Sequence, residues 1–291
     1  MPEPEGPDAL DALSSTGRSG HHVPEPEGRP VAGPSAPPGE GHMALVDLHS
    51  HVLPGVDDGA RDEGEALRML RLAEEDGIAA IAATPHAHHC PAGRIAPAVA
   101  RLNRLAAAAG LAIRVLPGSE VRLAADLPAR HRAGALLTLN HGPYLLLELP
   151  LSGGWPASLL RVVEELQALG LRPVLAHAER YEDAQRDPAL LDGVIAAGVP
   201  IQINAASLVG PAERGAQPAA ERLVRGRMAH LLASDAHSAD WRPPRLRAAV
   251  ARAAELAGAD YAAWMVAAAS TVTRGDTLTL PAPARPPGDA G

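Results

Sequence analysis

An α/β fold, with strands and helices alternating along the chain, is the class this sequence predicts, and three observations predict it. Seven short apolar runs bounded by turn residues recur along the chain, as buried strands do. Amphipathic segments lie between most of them, which implies a parallel sheet covered on both faces, or a barrel. The alternation fills about 250 residues as one unit, a length that suits a barrel.

The first strand is read over residues 44–48 and delivers His49, Ser50 and His51 at its carboxyl end. Side chains two apart on a strand share a face, so the two imidazoles project together, with Asp57-Asp58-Gly59 close behind. A helix follows over 62–76. Its Ala66, Leu67, Leu70 and Ala73 share one side, Asp62 and Glu65 form a cap-like start, and Gly77 stops it. The second strand, 78–83, ends in Thr84-Pro85-His86, and a helix over 95–109 stops at Gly110. The third, 113–116, runs into Pro117-Gly118-Ser119-Glu120. The fourth, 144–147, ends at Glu148 and precedes a helix over 158–169. The fifth, 173–176, ends in His177-Ala178-Glu179-Arg180 and precedes a helix over 188–197. The sixth, 199–203, ends in Asn204 and precedes a helix over 219–227; the seventh, 229–233, ends in Ser234-Asp235-Ala236-His237. Stretches 133–143 and 205–215 read as loops.

Six of these seven strand ends carry His, Asp or Glu. In an α/β barrel all carboxyl ends meet at one mouth, where ligands sit. That many carboxylates brought together without cations would repel one another and be costly to desolvate. The pattern therefore points to a site for several divalent metal ions. Mixed imidazole and carboxylate donors suit Mn2+, Fe2+ or Zn2+ and suit Ca2+ poorly.

Composition narrows the rest. The 291 residues carry a net charge of −8, which argues against a partner held through nucleic-acid phosphates. All 26 basic residues are arginine, so a phosphate-loop lysine and a Schiff-base lysine are both excluded. The single cysteine, Cys90, allows no intramolecular disulfide and suits a reducing, cytoplasmic compartment. No stretch approaches the roughly 20 apolar residues of a membrane span, so no direct membrane insertion is expected. Residues 1–42 repeat Pro-Glu-Pro-Glu-Gly and lack the apolar surface that offsets ordering entropy, so they read as a disordered tail. The domain is expected over 43–280, with a flexible C-terminal tail over 281–291.

Asp47-Leu48-His49-Ser50-His51, Asp57-Asp58-Gly59, Ala83-Thr84-Pro85-His86, Pro117-Gly118-Ser119-Glu120, Leu147-Glu148, Ala176-His177-Ala178-Glu179-Arg180 and Ala233-Ser234-Asp235-Ala236-His237 stand in an order that resembles the polymerase-and-histidinol-phosphatase (PHP) superfamily. Within it, the chain looks most like the bacterial manganese-dependent protein-tyrosine phosphatases of capsule and exopolysaccharide biosynthesis. The resemblance spans about residues 43–275. It implies a distorted (β/α)7 TIM-like barrel and three ions, Mn2+ with Fe or Zn as alternatives. One ion would take His49, His51, Glu120 and Asp235. A second would share Glu120 and add Glu148 and His177. A third would take Asp58, His86 and His237, with Asp57 as the rival to Asp58. Arg180 and Arg242 match positions that hold the phosphate. The implied substrate is a phosphotyrosine protein, a bacterial tyrosine kinase of a polysaccharide export system, attacked by a metal-bridged hydroxide.

The sequence departs from the pattern at His88-His89, which leaves a ligand swap with His86 open. Trp155, Trp241 and Trp264 read as packing residues, although Trp241 adjoins Arg242 and is placed to face a substrate ring. A cysteine-based phosphatase needs its nucleophile and an arginine separated by five residues, but Arg94 lies only four positions after Cys90. No G-x-S-x-G elbow occurs. The alternatives that survive are a small-molecule phosphatase of the histidinol-phosphatase kind and a non-catalytic metal-binding regulatory domain.

Overall fold

The computed structural model describes residues 44–210, 213 and 215–284. The tail expected over 1–42 and the end of the tail expected over 281–291 lie outside them. Ala284 is described, and its N–H donates to the Gly226 carbonyl at 2.8 Å.

Eight strands occur among the described residues: β1 Leu45–Ser50, β2 Ile78–Ala83, β3 Arg114–Pro117, β4 Glu120–Arg122, β5 Tyr144–Glu148, β6 Arg172–Leu175, β7 Gln202–Asn204 and β8 Leu231–Ala233. They pair in parallel as β1-β2-β3, β4-β5-β6 and β7-β8. The extra strand is β4, which follows the third expected strand across Gly118-Ser119: β3 pairs with β2, whereas β4 pairs with β5. A Cβ at Gly118 would stand 2.9 Å from Leu139 Cδ2 and 3.0 Å from Thr84 Cγ2, so only glycine passes there without displacing both neighbours.

Three isolated bridges, all parallel, run from sheet to sheet: His86 with Glu120, Leu175 with Ile201, and Ser50 with Ala236. The seam between β1 and β8 is reinforced by buried Asp47, which accepts from the Ser234 backbone N–H at 3.0 Å and from its hydroxyl. Parallel pairing puts the carboxyl ends of the strands within each sheet at one edge, and the bridges carry the same sense from sheet to sheet.

Helices cover the sheets: α1 Glu63–Glu75, α2 Ala92–Ala108, α3 Leu127–Arg132, α4 Leu159–Ala168, α5 Glu182–Arg186, α6 Leu190–Ala196, α7 Ala206–Val209, α8 Ala216–Arg225, α9 Arg247–Ala257 and α10 Ala259–Arg274. The expected cap of α1 forms, with the Asp62 side chain accepting the Glu65 N–H at 2.8 Å. The stretch read as a loop over 205–215 contains the short α7, and α9 and α10 extend the chain beyond the last expected strand. Ala268, Ala269 and Val272 of α10 pack into one apolar cluster with Val46, Leu48, Ala80, Tyr144, Leu146 and Leu231 from the strands. A larger cluster joins the remaining strand residues to α1, α2, α4, α6 and α8. None of the helices among the described residues is long and apolar enough to cross a membrane.

Candidate metal centre

The strand ends bring the histidines and carboxylates together. His49 and His51 follow the period of β1 and lie fully buried, with their Nε2 atoms 3.3 Å apart. Asp235 Oδ1 lies 3.3 Å from His49 Nε2 and 3.4 Å from His51 Nε2. Glu120 stands 3.4 Å from His49 Nε2 through Oε1 and 3.6 Å from His51 Nε2 through Oε2. Donors about 2.1 Å from one ion in a tetrahedral arrangement stand about 3.4 Å from each other. His49, His51 and Glu120 can thus hold a divalent ion, with Asp235 Oδ1 beside both imidazoles.

Glu120 also reaches the other two groups. Its Oε1 is 2.9 Å from His177 Nε2, and its Oε2 is 2.9 Å from His86 Nδ1. Glu148 Oε1 stands 3.9 Å from His177 Nε2. Beyond His51, Asp58 Oδ1 lies 3.6 Å from Nε2 of both His86 and His237. Three groups of potential donors therefore converge among the described residues: His49, His51 and Glu120; His86, Glu120 and Glu148; and His51, Asp58, His86 and His237. These groups differ from the expected ones in three respects: Asp235 is absent from the group of His49, His51 and Glu120; His86 and not His177 joins Glu120 and Glu148; and His51 joins Asp58, His86 and His237.

Local backbone builds these positions. His177 at φ 32° and Asp235 at φ 50° occupy the left-handed region, which non-glycine residues rarely adopt. Strain of this kind persists where surrounding structure over-determines it, as at functional sites. In the Asp57-Asp58-Gly59 loop, a Cβ on Gly59 would fall 1.9 Å from the His51 carbonyl oxygen, so the loop closes on β1 only with glycine there. The same carbonyl accepts the Ala60 N–H at 2.9 Å.

Electrostatics state the need for cations. Burial disfavours charge on His49 and His51, yet Asp235, Glu120 and Asp57 outweigh it; the His49 pKa is raised, and that of His51 is pushed up to about 10. Burial would raise Glu120 and Asp235, but the histidines hold both well below the usual carboxylate range. His237 goes the other way, down to about 4, through burial and the neighbouring His51 charge. Buried carboxylates at this density call for positive charge, which divalent ions held by these donors would supply.

Two arginines overlook the centre. Arg242 Nη2 is 3.2 Å and Arg180 Nη1 is 3.5 Å from Asp235 Oδ2. Arg180 also forks onto Glu213, with Nη2 donating at 2.7 Å and Nε at 3.2 Å. Trp241 is not a packing residue: it is 65 % exposed, with the Arg242 guanidinium carbon 5.5 Å from its ring centre. Trp155 and Trp264 do pack, against Tyr181 and Tyr261. His88 and His89 are exposed and belong to none of the three donor groups. Cys90 is buried, and burial raises its thiol pKa.

Sequence reasoning missed the polar partners behind the histidines. Asp57 Oδ2 lies 2.7 Å from His51 Nδ1, and Gln202 Oε1 lies 3.1 Å from His49 Nδ1. The signal for the second was present as two amides, Gln202 and Asn204, at strand spacing inside an apolar run.

Comparison with known proteins agrees with this geometry. The tyrosine-protein phosphatase YwqE of Bacillus subtilis (strain 168) is 34 % identical over 199 residues, covering 67 % of this chain and 78 % of that protein. The tyrosine-protein phosphatase CpsB of Streptococcus agalactiae serotype III is 25 % identical over 211 residues, covering 69 % and 86 %. A crystal structure from the pair YwqE of Bacillus subtilis and CpsB of Streptococcus pneumoniae, described as unique metal-dependent tyrosine phosphatases, superposes with a TM-score of 0.79 at 29 % identity. It covers 83 % of this chain and 100 % of that one. A lactonase from Listeria monocytogenes shares the fold, at a TM-score of 0.53 and 13 % identity. Residues 45–272 match the family model for capsular polysaccharide synthesis proteins, and on that match the chain belongs to the CpsB/CapC family.

Proposed function

We propose that this chain is a metal-dependent protein-tyrosine phosphatase acting on a bacterial tyrosine kinase of a polysaccharide export system, in the cytoplasm. The observation that carries the reading is the convergence of His49, His51, Asp58, His86, Glu120, Glu148, His177, Asp235 and His237 beneath the forks of Arg180 and Arg242. The relatives named as tyrosine phosphatases support the substrate class. The three sheets are read as one distorted (β/α)7 barrel, with β3 and β4 as a single broken strand and the isolated bridges as seams.

The residues would hold three divalent ions, for which we assign Mn2+, with Fe2+ and Zn2+ chemically admissible. His49, His51, Glu120 and Asp235 would hold one, Glu120, Glu148 and His177 a second, and Asp58, His86 and His237 a third. Such ions supply Lewis-acid stabilisation of a phosphoryl group and acidify water to react near neutral pH. The chain does the rest. Arg180 and Arg242 present planar forks that match phosphate oxygens, and their pre-set positions favour the charge that develops during transfer. In the structure those forks rest on Glu213 and Asp235, so a phosphate would take over donors already oriented.

A substrate panel tests this. Hydrolysis of a phosphotyrosine peptide should exceed that of histidinol phosphate and of a phosphoserine peptide in kcat/KM by at least about tenfold. Preference for histidinol phosphate would overturn the substrate assignment.

A further inference from the structure

Gln202 and Asn204 on β7 are buried, carry no charge, and connect residues on opposite sides of the centre. The His177 backbone N–H donates to the Gln202 side-chain oxygen at 3.1 Å. A backbone N–H can only donate, so this contact fixes which end of the Gln202 amide is oxygen. His49 Nδ1 lies 3.1 Å from the same oxygen and must therefore carry the proton, which leaves Nε2 as the bare lone pair facing Glu120 and Asp235. The other end of the Gln202 amide donates to Asn204 Oδ1 at 2.9 Å. That leaves Asn204 Nδ2 to donate to Asp235 Oδ2 at 2.8 Å, while Asp235 Oδ1 faces His49 and His51.

We propose that Gln202 and Asn204 form a directional amide relay that sets the tautomer of His49 and the ligating oxygen of Asp235, which makes them positioning residues of the metal centre. The inference rests on reading the centre as a metal site. The relay needs an amide at 202, because one end must accept from two N–H groups while the other donates. A carboxylate could accept from His49 and His177 but has no N–H for Asn204. It would also add a charge beside Glu120, Glu148 and Asp235. Hydrogen bonds behind a ligating imidazole fix its tautomer and orientation, and losing one typically lowers metal affinity 10- to 100-fold. The Asn204 backbone is itself held, its N–H donating to Glu179 Oε1 at 3.0 Å.

Two measurements on the full chain test the relay: Zn2+ affinity by chelator competition, and 15N-histidine NMR of the Zn2+-loaded protein. Gln202→Met should lower affinity 10- to 100-fold and lose the slowly exchanging Nδ1 proton of His49. Gln202→Glu should keep that proton but still lose affinity, because the branch to Asp235 is broken. Asn204→Leu should also weaken binding, and the Gln202→Met/Asn204→Leu double variant should be little worse than Gln202→Met alone, as coupled residues require. Affinity within twofold of wild type in folded Gln202→Met, or strictly additive losses in the double variant, would overturn the relay. If Gln202→Met does not fold, Gln202→Glu decides: wild-type affinity there overturns the relay, and a protected proton with weakened binding supports it. A wild type that binds no Zn2+ or Mn2+ would overturn the metal reading itself, and the relay with it.

Discussion

Asp57 Oδ2 lies 2.7 Å from His51 Nδ1, while Oδ1 of the adjacent Asp58 stands 3.8 Å from that nitrogen and 3.6 Å from Nε2 of both His86 and His237. Two neighbouring carboxylates that look interchangeable in sequence thus have different surroundings. Asp57 is largely buried and also accepts the N–H groups of Gly59 and His86, at 3.1 Å each. Burial would raise its pKa, but the hydrogen bond from His51 outweighs it and keeps Asp57 ionised. Asp57→Asn should keep the ion count and weaken affinity 10- to 100-fold, as loss of a group behind a ligand does. Asp58→Asn should instead release one ion per chain. Elemental analysis of the two variants reads this directly, and the reverse pattern would exchange their roles.

Glu120 approaches four histidines of the centre, His49, His51, His86 and His177. Its replacement by Ala should remove more than one ion and abolish turnover. A fall of less than one ion per chain would contradict a bridging role.

Arg180 and Arg242 should act on turnover, not on metal content. Lysine keeps the charge but loses the fork, so Arg→Lys and Arg→Ala at either position should each lower kcat about a hundredfold, the scale of one lost oxyanion donor. Near-normal kcat with a lowered melting temperature would make both arginines structural partners of Asp235 and Glu213.

Much of this centre was legible because strand period and strand ends are local signals. The spacing of His49 and His51, and the acidic or imidazole residue after most strands, needed only alternation to place them at one edge. The break at Gly118-Ser119 was not legible, since pairing of β4 with β5 depends on partners distant in sequence. α9 and α10 escaped for another reason: their alanine-rich sequence gives little contrast between faces, and the burial of α10 against β1 and β8, with α9 packed on α10, is a tertiary fact. The partners of Arg180 were equally hidden. Glu179 adjoins it in sequence, yet Glu213 and Asp235 take the fork.

Buried His230 should make stability fall in acid. Its Nδ1 accepts the Ile201 N–H at 3.0 Å, its Nε2 has no hydrogen-bond partner among the described residues, and burial pushes its pKa down to about 4. The folded state thus keeps His230 neutral, while the unfolded state gains a proton below about pH 6.5. The contribution is complete above that pH and is lost progressively as pH falls towards 4. From pH 7 to pH 5 this group alone should remove about 2 kcal/mol of stability. Denaturant titrations at both values, compared with His230→Gln, should show a shallower loss in the variant; equal slopes would contradict the assignment.

On the function proposed above, metal ions perform the chemistry and the buried thiol of Cys90 does not. The most direct measurement is phosphotyrosine-peptide hydrolysis after exhaustive chelation, after readdition of Mn2+, and after separate treatment with iodoacetamide. Chelation should abolish turnover, Mn2+ should restore it, and alkylation should leave it unchanged. Turnover that survives removal of the ions and disappears on alkylation would contradict the metal chemistry.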